Sequence, residues 1–294
     1  MPDFVFNMNE LTRLNRLLYS PAGASVVTTA GAHRVRRSGG GGDFLDYREY
    51  IPGDDVRRID WTVFARLRQP FVRVLEHEDT LYVNFLIDLS RSMAAGLSTS
   101  KAALACQLAC GLAYVALMAG DHVTVATFAS ELALLASDLH GRAAFAGLVK
   151  TLKRQPPGDA TRLLAAVEAF SQRVKRRGVV VILSDFLQAG DVEEAIRTLL
   201  ARRFRVLLIQ ILNSTDWAEG LTGTMRLVDS ETREALDVLA SPERVADYQR
   251  CLRQYAGHLK AYCRRRGQFY LYAPTTDNYL ELIARGLREE GLLR

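Results

Sequence analysis

Asp88, Ser90 and Ser92 are residues whose types and spacing indicate a functional site. They form the pattern Asp-x-Ser-x-Ser directly after LYVNFLI, an apolar run that is typical of a buried strand. In an open α/β sheet, ligands bind at the carboxyl ends of the strands. Three short oxygen-bearing side chains there suit a hard divalent cation such as Mg²⁺ or Mn²⁺. The same residues also fit a turn aspartate followed by serines that cap a helix, so the pattern alone leaves both interpretations open.

Two further segments place oxygen-bearing side chains where they could reach the same site. The apolar run VVVILSD ends in Ser184 and Asp185, and the loop PPGDAT presents Asp159 and Thr161 directly before a helix. Taken singly, Thr161 fits an ordinary helix N-cap, and Asp185 fits a turn residue or an N-cap. Because a doubly wound sheet brings such loops together, both are candidate ligands of the same cation. Such a site would keep a coordination position open, which an acidic group from a partner or a ligand could fill.

An alternation of strands and helices positions these residues. The predicted strands lie within 81–88, 122–129, 179–185, 204–212 and 268–274, and the predicted helices lie over 101–119, 141–154, 162–177, 191–203, 242–266 and 277–290. Continuous apolar strands that alternate with helices predict a doubly wound α/β domain, with a mainly parallel sheet that is covered on both faces. A hairpin-like segment at about 214–239 interrupts the alternation and is predicted to be an insertion.

Residues 1–79 do not follow this alternation. They are predicted to form a β-rich and irregular extension that packs on the main domain, residues 80–294, with a short amphipathic helix over 10–18. The glycine run 39–42 lacks the surrounding residues of a P-loop and is interpreted as a flexible loop. The arginines of this part are interleaved with acidic residues, which indicates ion pairing or an interaction face and argues against nucleic acid as a partner.

The bulk composition is that of a soluble globular protein. Of the 294 residues, 49% are hydrophobic and 24% charged, and a net charge of +5 is too small to indicate nucleic-acid binding by itself. The four cysteines form no CxxC pair and the five histidines show no zinc-ligand spacing, so a reduced, cytoplasmic compartment is expected. The N-terminus lacks the pattern of a secretory signal, and the uncharged stretch 102–120 is interpreted as a buried helix and not as a transmembrane segment.

The oxygen-bearing residues, taken in chain order, resemble those of von Willebrand factor A domains. Asp-x-Ser-x-Ser after the first strand, a threonine in a later loop and an aspartate after an apolar strand match the metal-ion-dependent adhesion site of that family. The resemblance implies a Mg²⁺ or Mn²⁺ site formed by Asp88, Ser90, Ser92, Thr161 and Asp185. The family commonly has two glycines ahead of the threonine, whereas this chain has Asp159 and Ala160.

The stretch REYIPGDDVRRIDW, Arg48 to Trp61, narrows the resemblance. It is similar to the hallmark of the bacterial domain-of-unknown-function fifty-eight family, and PFVRVLEHED and RLVDSETREAL fit the same pattern. Members of that family are typically associated with MoxR-type AAA+ ATPases. The resemblance therefore implies a non-catalytic, metal-dependent adaptor in an assembly system, with a partner that supplies an acidic residue to the metal.

Two other functions remain open at this point. A Mg²⁺-dependent phosphohydrolase or nuclease could use a similar sheet, but an aspartyl-phosphate enzyme needs a second acid two residues after its nucleophile, and Ser90 stands there. The sequence also contains no GxSxG, P-loop or HExxH motif. Nucleic-acid binding through the arginine-rich N-terminal part would require a steep salt dependence of affinity. The residues favour a protein-binding module over an enzyme.

Overall fold

The computed structural model describes residue 4 and residues 43–76, 80–94, 100–187, 191–229 and 234–289. The elements of the described part are, in chain order, β1 (Asp43–Glu49), α1 (Trp61–Leu67), β2 (Phe71–Glu76), β3 (Tyr82–Asp88), α2 (Arg91–Ala94), α3 (Lys101–Met118), β4 (His122–Phe128), β5 (Leu132–Leu139), α4 (Ala144–Lys153), α5 (Leu163–Arg173), β6 (Val179–Ser184), α6 (Val192–Ala201), β7 (Arg205–Leu212), β8 (Gly223–Val228), β9 (Ala235–Ala240), α7 (Pro242–Arg265), β10 (Phe269–Pro274) and α8 (Tyr279–Glu289). The predicted helix over 10–18 and the glycine run 39–42 lie outside the described residues.

Six strands form the central sheet in the order β10-β7-β6-β3-β4-β5. Neighbouring strands are parallel except for β4 and β5, which are antiparallel. The chain runs from β3 to β4 on one side and later returns to the other side of β3 with β6. The carboxyl ends of β3 and β6 therefore flank the point where the winding direction changes, which is the ligand site of doubly wound sheets. This architecture confirms the predicted α/β fold with a mainly parallel sheet.

Helices cover both faces of the sheet, as predicted. Phe85 and Ile87 of β3 pack in a core with α3, α4 and α8, whereas Leu86 points to the opposite core, with α5, α6 and α7. Within the described residues, α3 is the one helix long and apolar enough to cross a membrane, but most of it is buried inside the domain. Phe4 lies in the same core as α3.

Strand β5 is an element that the sequence pattern does not predict. Its sequence, LALLASDL, is mostly leucine and alanine, which prefer helices, and it has no β-branched residue. Pairing with β4 across the short turn 129–131 makes it an antiparallel strand at the edge of the sheet. Tertiary context therefore overrides local propensity in this segment.

Helix α1 lies in a part of the chain for which only strands and loops are predicted. It begins after Asp60, whose carboxylate accepts the backbone N–H groups of Thr62 and Val63 as an N-cap. The hydroxyl of Tyr47 in β1 donates to the same carboxylate at 2.9 Å. This cap, and not an apolar face, fixes the short helix, because none of its residues is buried.

The REYIPGDD hallmark folds as the connection between β1 and α1. Arg48 donates two hydrogen bonds of 2.7 Å to the carboxylate of Asp54. Asp54 also accepts the backbone N–H of Ile51 at 3.0 Å, and Gly53 turns the chain with a φ of 111°, a conformation that favours glycine. The charged residues of the hallmark thus hold a turn, a role that the sequence does not reveal.

The predicted hairpin insertion is also present, since β8 and β9 pair antiparallel with each other.

Helix α5 ends at Arg173 and not at residue 177, because Val174 adopts an extended conformation. The chain then enters β6 past Gly178, where a Cβ atom would lie 1.9 Å from the carbonyl oxygen of Tyr82. Only glycine fits this close approach between the starts of β3 and β6.

We predict that Gly178→Ala lowers the free energy of unfolding by about 1–3 kcal/mol, because the added methyl group overpacks the contact between the two strands. Gly147→Ala is the matched control, since Gly147 lies in α4 with no atom within 4 Å of the new Cβ. That substitution should raise the free energy of unfolding by up to about 1 kcal/mol. Urea denaturation measures the free energy of unfolding of both variants. Equal effects of the two substitutions would contradict the close approach of Gly178 to Tyr82.

Candidate metal centre

The carboxyl edge of the sheet is organised around Asp88. This residue ends β3 and is 0% exposed. Its Oδ1 accepts the backbone N–H of Ser90 at 2.9 Å, and its Oδ2 accepts the hydroxyl groups of Ser184 at 2.6 Å and Thr161 at 3.4 Å. These donors come from the segment after β3, the end of β6 and the loop before α5. One buried carboxylate therefore joins three segments.

The two serines of the motif lie next to each other, with 3.0 Å between the Oγ atoms of Ser90 and Ser92. The hydrogen bond from the Ser90 N–H to the Asp88 carboxylate forms a turn, as expected if Asp88 is a turn aspartate. The carbonyl of Ser90 also accepts the N–H of Met93 at 3.1 Å, as α2 begins. Turn formation thus explains the backbone hydrogen bonds of this segment. It does not use the two serine hydroxyl groups as helix caps, and these hydroxyl groups are hard oxygen donors that could bind a cation.

Thr161 lies at the site although the two residues before it are not glycines. The N–H of Gly158 donates to the carbonyl of Leu89 at 2.7 Å, and the N–H of Arg91 donates to the carbonyl of Asp159 at 3.0 Å. The side chains of Arg91 and Asp159 form an ion pair as well. These contacts seat the loop on the segment after β3, so Asp159 takes the place of a family glycine without moving Thr161 away.

Asp185 lies at the same edge, but a lysine binds its carboxylate. Lys101, the first residue of α3, is 1% exposed. Its Nζ lies 2.7 Å from Oδ2 of Asp185 and 3.0 Å from Oδ1 of Asp216. The other carboxylate oxygen of Asp185 accepts the N–H of Leu187 at 3.2 Å. The predicted ligand Asp185 is therefore shared with an ammonium group of the protein itself.

Sequence reasoning misses Lys101 and Asp216. A signal for Lys101 exists, because it is the one charged residue in the run 101–120 and begins an otherwise uncharged helix. A charged side chain in such a buried segment has to be paired. Asp216 lies in the predicted insertion with no motif around it. Ser184 is noticed at the end of a strand, but nothing in the sequence assigns its hydrogen bond to Asp88.

The electrostatics of the cluster favour an added cation. Burial raises the pKa of Asp88 to about 6, although hydrogen bonds from two serines act in the opposite direction. Burial acts to lower the pKa of Lys101, but Asp185 and Asp216 outweigh it, so the pKa is raised and the ammonium group stays charged. With Asp88 ionised as well, three carboxylates and one ammonium leave two negative charges, which a divalent cation would balance.

The donor set fits Mg²⁺ or Mn²⁺. Asp88, Ser90, Ser92 and Thr161 present oxygen atoms only, the ligands that hard divalent cations prefer. Among the described residues, no group of three or more histidine, cysteine, aspartate or glutamate side chains is arranged to hold a metal. A cation here would therefore depend on hydroxyl groups as well as on Asp88.

A cavity of about 530 Å³ opens beside the cluster. Ser92, Lys101, Asp185 and Asp216 line one of its walls. The other wall is mostly apolar and comes from the β8–β9 hairpin and the start of α7; it includes Met225, Leu227, Val238, Ala240, Val245 and Tyr248. Ser92, the ion pairs of Lys101 and an apolar surface thus line the same cavity.

A sequence profile of the family described as "Protein of unknown function DUF58" matches residues 46–256, a span that includes the REYIPGDD hallmark. The chain belongs to this family. The resemblance to the domain-of-unknown-function fifty-eight family is therefore confirmed. The chain is 27% identical over 259 residues to the uncharacterized proteins Mb1516 of Mycobacterium bovis and Rv1480 of Mycobacterium tuberculosis, and the matches cover 87% of this chain and 81% of each relative.

Solved structures similar to this chain include BatB from Bacteroides thetaiotaomicron, with 14% identity, 72% of this chain and 99% of that chain covered, and a TM-score of 0.43. An aerotolerance-related membrane protein from Bacteroides fragilis has 14% identity, coverage of 71% and 99%, and a TM-score of 0.45. Manganese-loaded TRAP protein from Plasmodium vivax has 16% identity, coverage of 73% and 74%, and a TM-score of 0.40. At these scores the likeness carries no argument about function.

The raised pKa of Asp88 predicts a pH dependence of stability in the presence of a chelator. Because the folded state holds this proton up to about pH 6, against 3.8 for an ordinary aspartate, ionisation disfavours the folded state. The stability contributed by Asp88 should therefore be highest below about pH 4, fall as the pH rises to about 6, and stay low above that.

Asp88→Asn removes this titration. The stability of the variant relative to wild type should rise by about 3 kcal/mol at most between pH 4 and pH 7, as measured by urea denaturation with chelator. Saturating Mn²⁺ at pH 7 should stabilise wild type more than the variant. If the stability of the two proteins changed with pH in the same way, the raised pKa of Asp88 would be contradicted.

Proposed function

We propose that this protein is a non-catalytic, divalent-cation-dependent adaptor that binds another protein. The observation that carries the proposal is the buried Asp88 carboxylate, which lies among hydroxyl groups at the carboxyl edge of the sheet. Asp88, Ser90, Ser92 and Thr161 would hold Mg²⁺ or Mn²⁺, with Asp185 acting directly or through water. A glutamate or aspartate of the partner would fill the open coordination position.

The geometry at Asp88 supports binding over catalysis. A nucleophilic carboxylate must reach the reacting atom, but Asp88 is fully buried and accepts three hydrogen bonds. Ser90 occupies the position where an aspartyl-phosphate enzyme needs a general acid. The two carboxylates beside the site that line the adjoining cavity, Asp185 and Asp216, are both bound by the ammonium group of Lys101.

An apolar surface beside the site supports a protein as the partner. In the β8–β9 hairpin, Leu227 faces Leu236 across the strands, two positions beyond Met225 and Val238, which line the cavity. Leu227 is 45% exposed and Leu236 is 65% exposed. An acidic side chain at the cation and apolar neighbours against these leucines would engage one continuous surface.

The partner proposed for this adaptor is a MoxR-type AAA+ ATPase, and the proposed location is the cytoplasm. The family resemblance supports the partner, and the spacing of the cysteines and histidines supports a reducing compartment. Binding of the partner's acid would favour one arrangement of the loops around Asp88, a population shift in the adaptor.

We predict that a purified MoxR-type AAA+ ATPase from the same organism is retained by the wild-type protein in Mg²⁺ and released by chelator. Asp88→Ala should weaken this binding at least about tenfold, because it removes the carboxylate of the cation site. Circular dichroism of the variant checks that the fold is intact. Equal binding by a folded Asp88→Ala variant would contradict the mechanism.

A second prediction concerns the hairpin. Leu227→Asp should weaken ATPase binding about tenfold without changing the affinity for Mn²⁺, because it places a charge on the apolar wall. Leu239→Asp is the matched control, since Leu239 is 53% exposed and lies one position from Val238, on the opposite face of the hairpin. Isothermal titration calorimetry measures both affinities. Equal losses in the two variants would argue against the cavity-facing side as the docking surface.

A further inference from the structure

Lys101 stands where neither the local structure nor the burial favours a lysine. It is the first residue of α3, at the end of the helix where the macrodipole is positive, and its side chain is 1% exposed. The helix already has its N-cap, because Oγ of Ser100 accepts the N–H of Ala103 at 3.1 Å. The lysine is therefore not needed to begin the helix, and its position has to be explained by its two carboxylate partners.

Both partners are fixed in place by their own loops. The carboxylate of Asp185 accepts the N–H of Leu187, and its carbonyl accepts Nε2 of Gln210 at 2.9 Å. Asp216 accepts the N–H of Asn213 at 2.9 Å through Oδ2, and its Oδ1 faces the ammonium group. The segments after β6 and β7 thus close around the ammonium group, which holds two carboxylates beside the candidate cation site.

The charges decide what this arrangement does to a cation. Wild type has three carboxylates, Asp88, Asp185 and Asp216, against one ammonium group, which leaves two negative charges. Without Lys101 the same region would hold three negative charges. Since these four side chains are largely buried, each unit of charge changes the attraction for a divalent ion strongly.

We propose that Lys101 sets the affinity of the cation site: it neutralises part of the negative charge on Asp185 and Asp216, and thereby keeps the site's own affinity for a divalent cation low. This inference rests on the proposed cation binding at Asp88. A site weakened in this way holds its cation firmly only when the partner's carboxylate joins the coordination shell, so cation and partner bind together.

The test measures the dissociation constant of Mn²⁺ by electron paramagnetic resonance of the free ion, with the purified full-length chain and no partner. Lys101→Met should bind Mn²⁺ at least about tenfold more tightly than wild type. Asp216→Asn, which removes a charge from a residue outside the predicted ligands, should bind at least about fivefold more weakly. The double variant Lys101→Met/Asp216→Asn restores the wild-type charge and should bind within about threefold of wild type.

Two controls separate charge from structure. Lys150→Met removes an exposed lysine of α4 and should leave the Mn²⁺ affinity unchanged. Thermal unfolding should show a larger Mn²⁺-dependent rise in Tm for Lys101→Met than for wild type, which a merely structural role of the lysine would not produce. If Lys101→Met fails to fold, the comparison of Asp216→Asn with the double variant carries the test.

The outcomes distinguish this inference from the proposed function. Mn²⁺ binding that depends on Asp88 but is unchanged or weakened in Lys101→Met, or not restored in the double variant, overturns the role of Lys101 and leaves the cation site standing. Absence of Mn²⁺ binding in wild type and in Lys101→Met overturns both.

Discussion

A carboxylate buried at the switch point of a parallel sheet is the constraint on which the rest of this structure depends. Isolated from water, an ionised Asp88 would cost several kcal/mol. The structure offsets this cost with hydrogen bonds from Ser90, Thr161 and Ser184, which lie on three different segments. The segments after β3 and β6 and the loop before α5 must therefore converge on one point. The same convergence brings the hydroxyl groups together that a hard divalent cation could use.

The charged groups around this point support the proposal that the protein holds a ligand. Asp88 is too enclosed to act as a nucleophile, and the nearby ammonium group of Lys101 is shared between two carboxylates. What stays accessible is the cavity, with polar groups on one wall and the apolar face of the hairpin on the other. In the proposed function, this opening would receive a segment of the partner protein that carries one acid among apolar residues.

The sequence predicts the parts of the structure that follow from pattern. Continuous apolar runs identify the buried strands and predict the doubly wound sheet. Oxygen-bearing residues after a strand indicate Asp88 and Ser90, and the loop before a helix indicates Thr161. Strand β5 escapes prediction because its leucines and alanines favour a helix until β4 pairs with it. The pairing of Lys101 with Asp216 escapes prediction because the two residues lie 115 positions apart in the chain, and no local pattern records such a contact. The turn that Arg48 and Asp54 hold is similar: the hallmark is recognisable as a string, but its ion pair is visible only in three dimensions.

The most direct test of the account is a crystal structure of the protein grown with Mn²⁺, with anomalous diffraction recorded to locate the metal. The account predicts one anomalous peak at the carboxyl edge of the sheet, about 2 to 2.5 Å from oxygen atoms of Asp88, Ser90 and Ser92. Well-ordered crystals grown in millimolar Mn²⁺ that show no peak at this edge, or a peak only elsewhere, would contradict it.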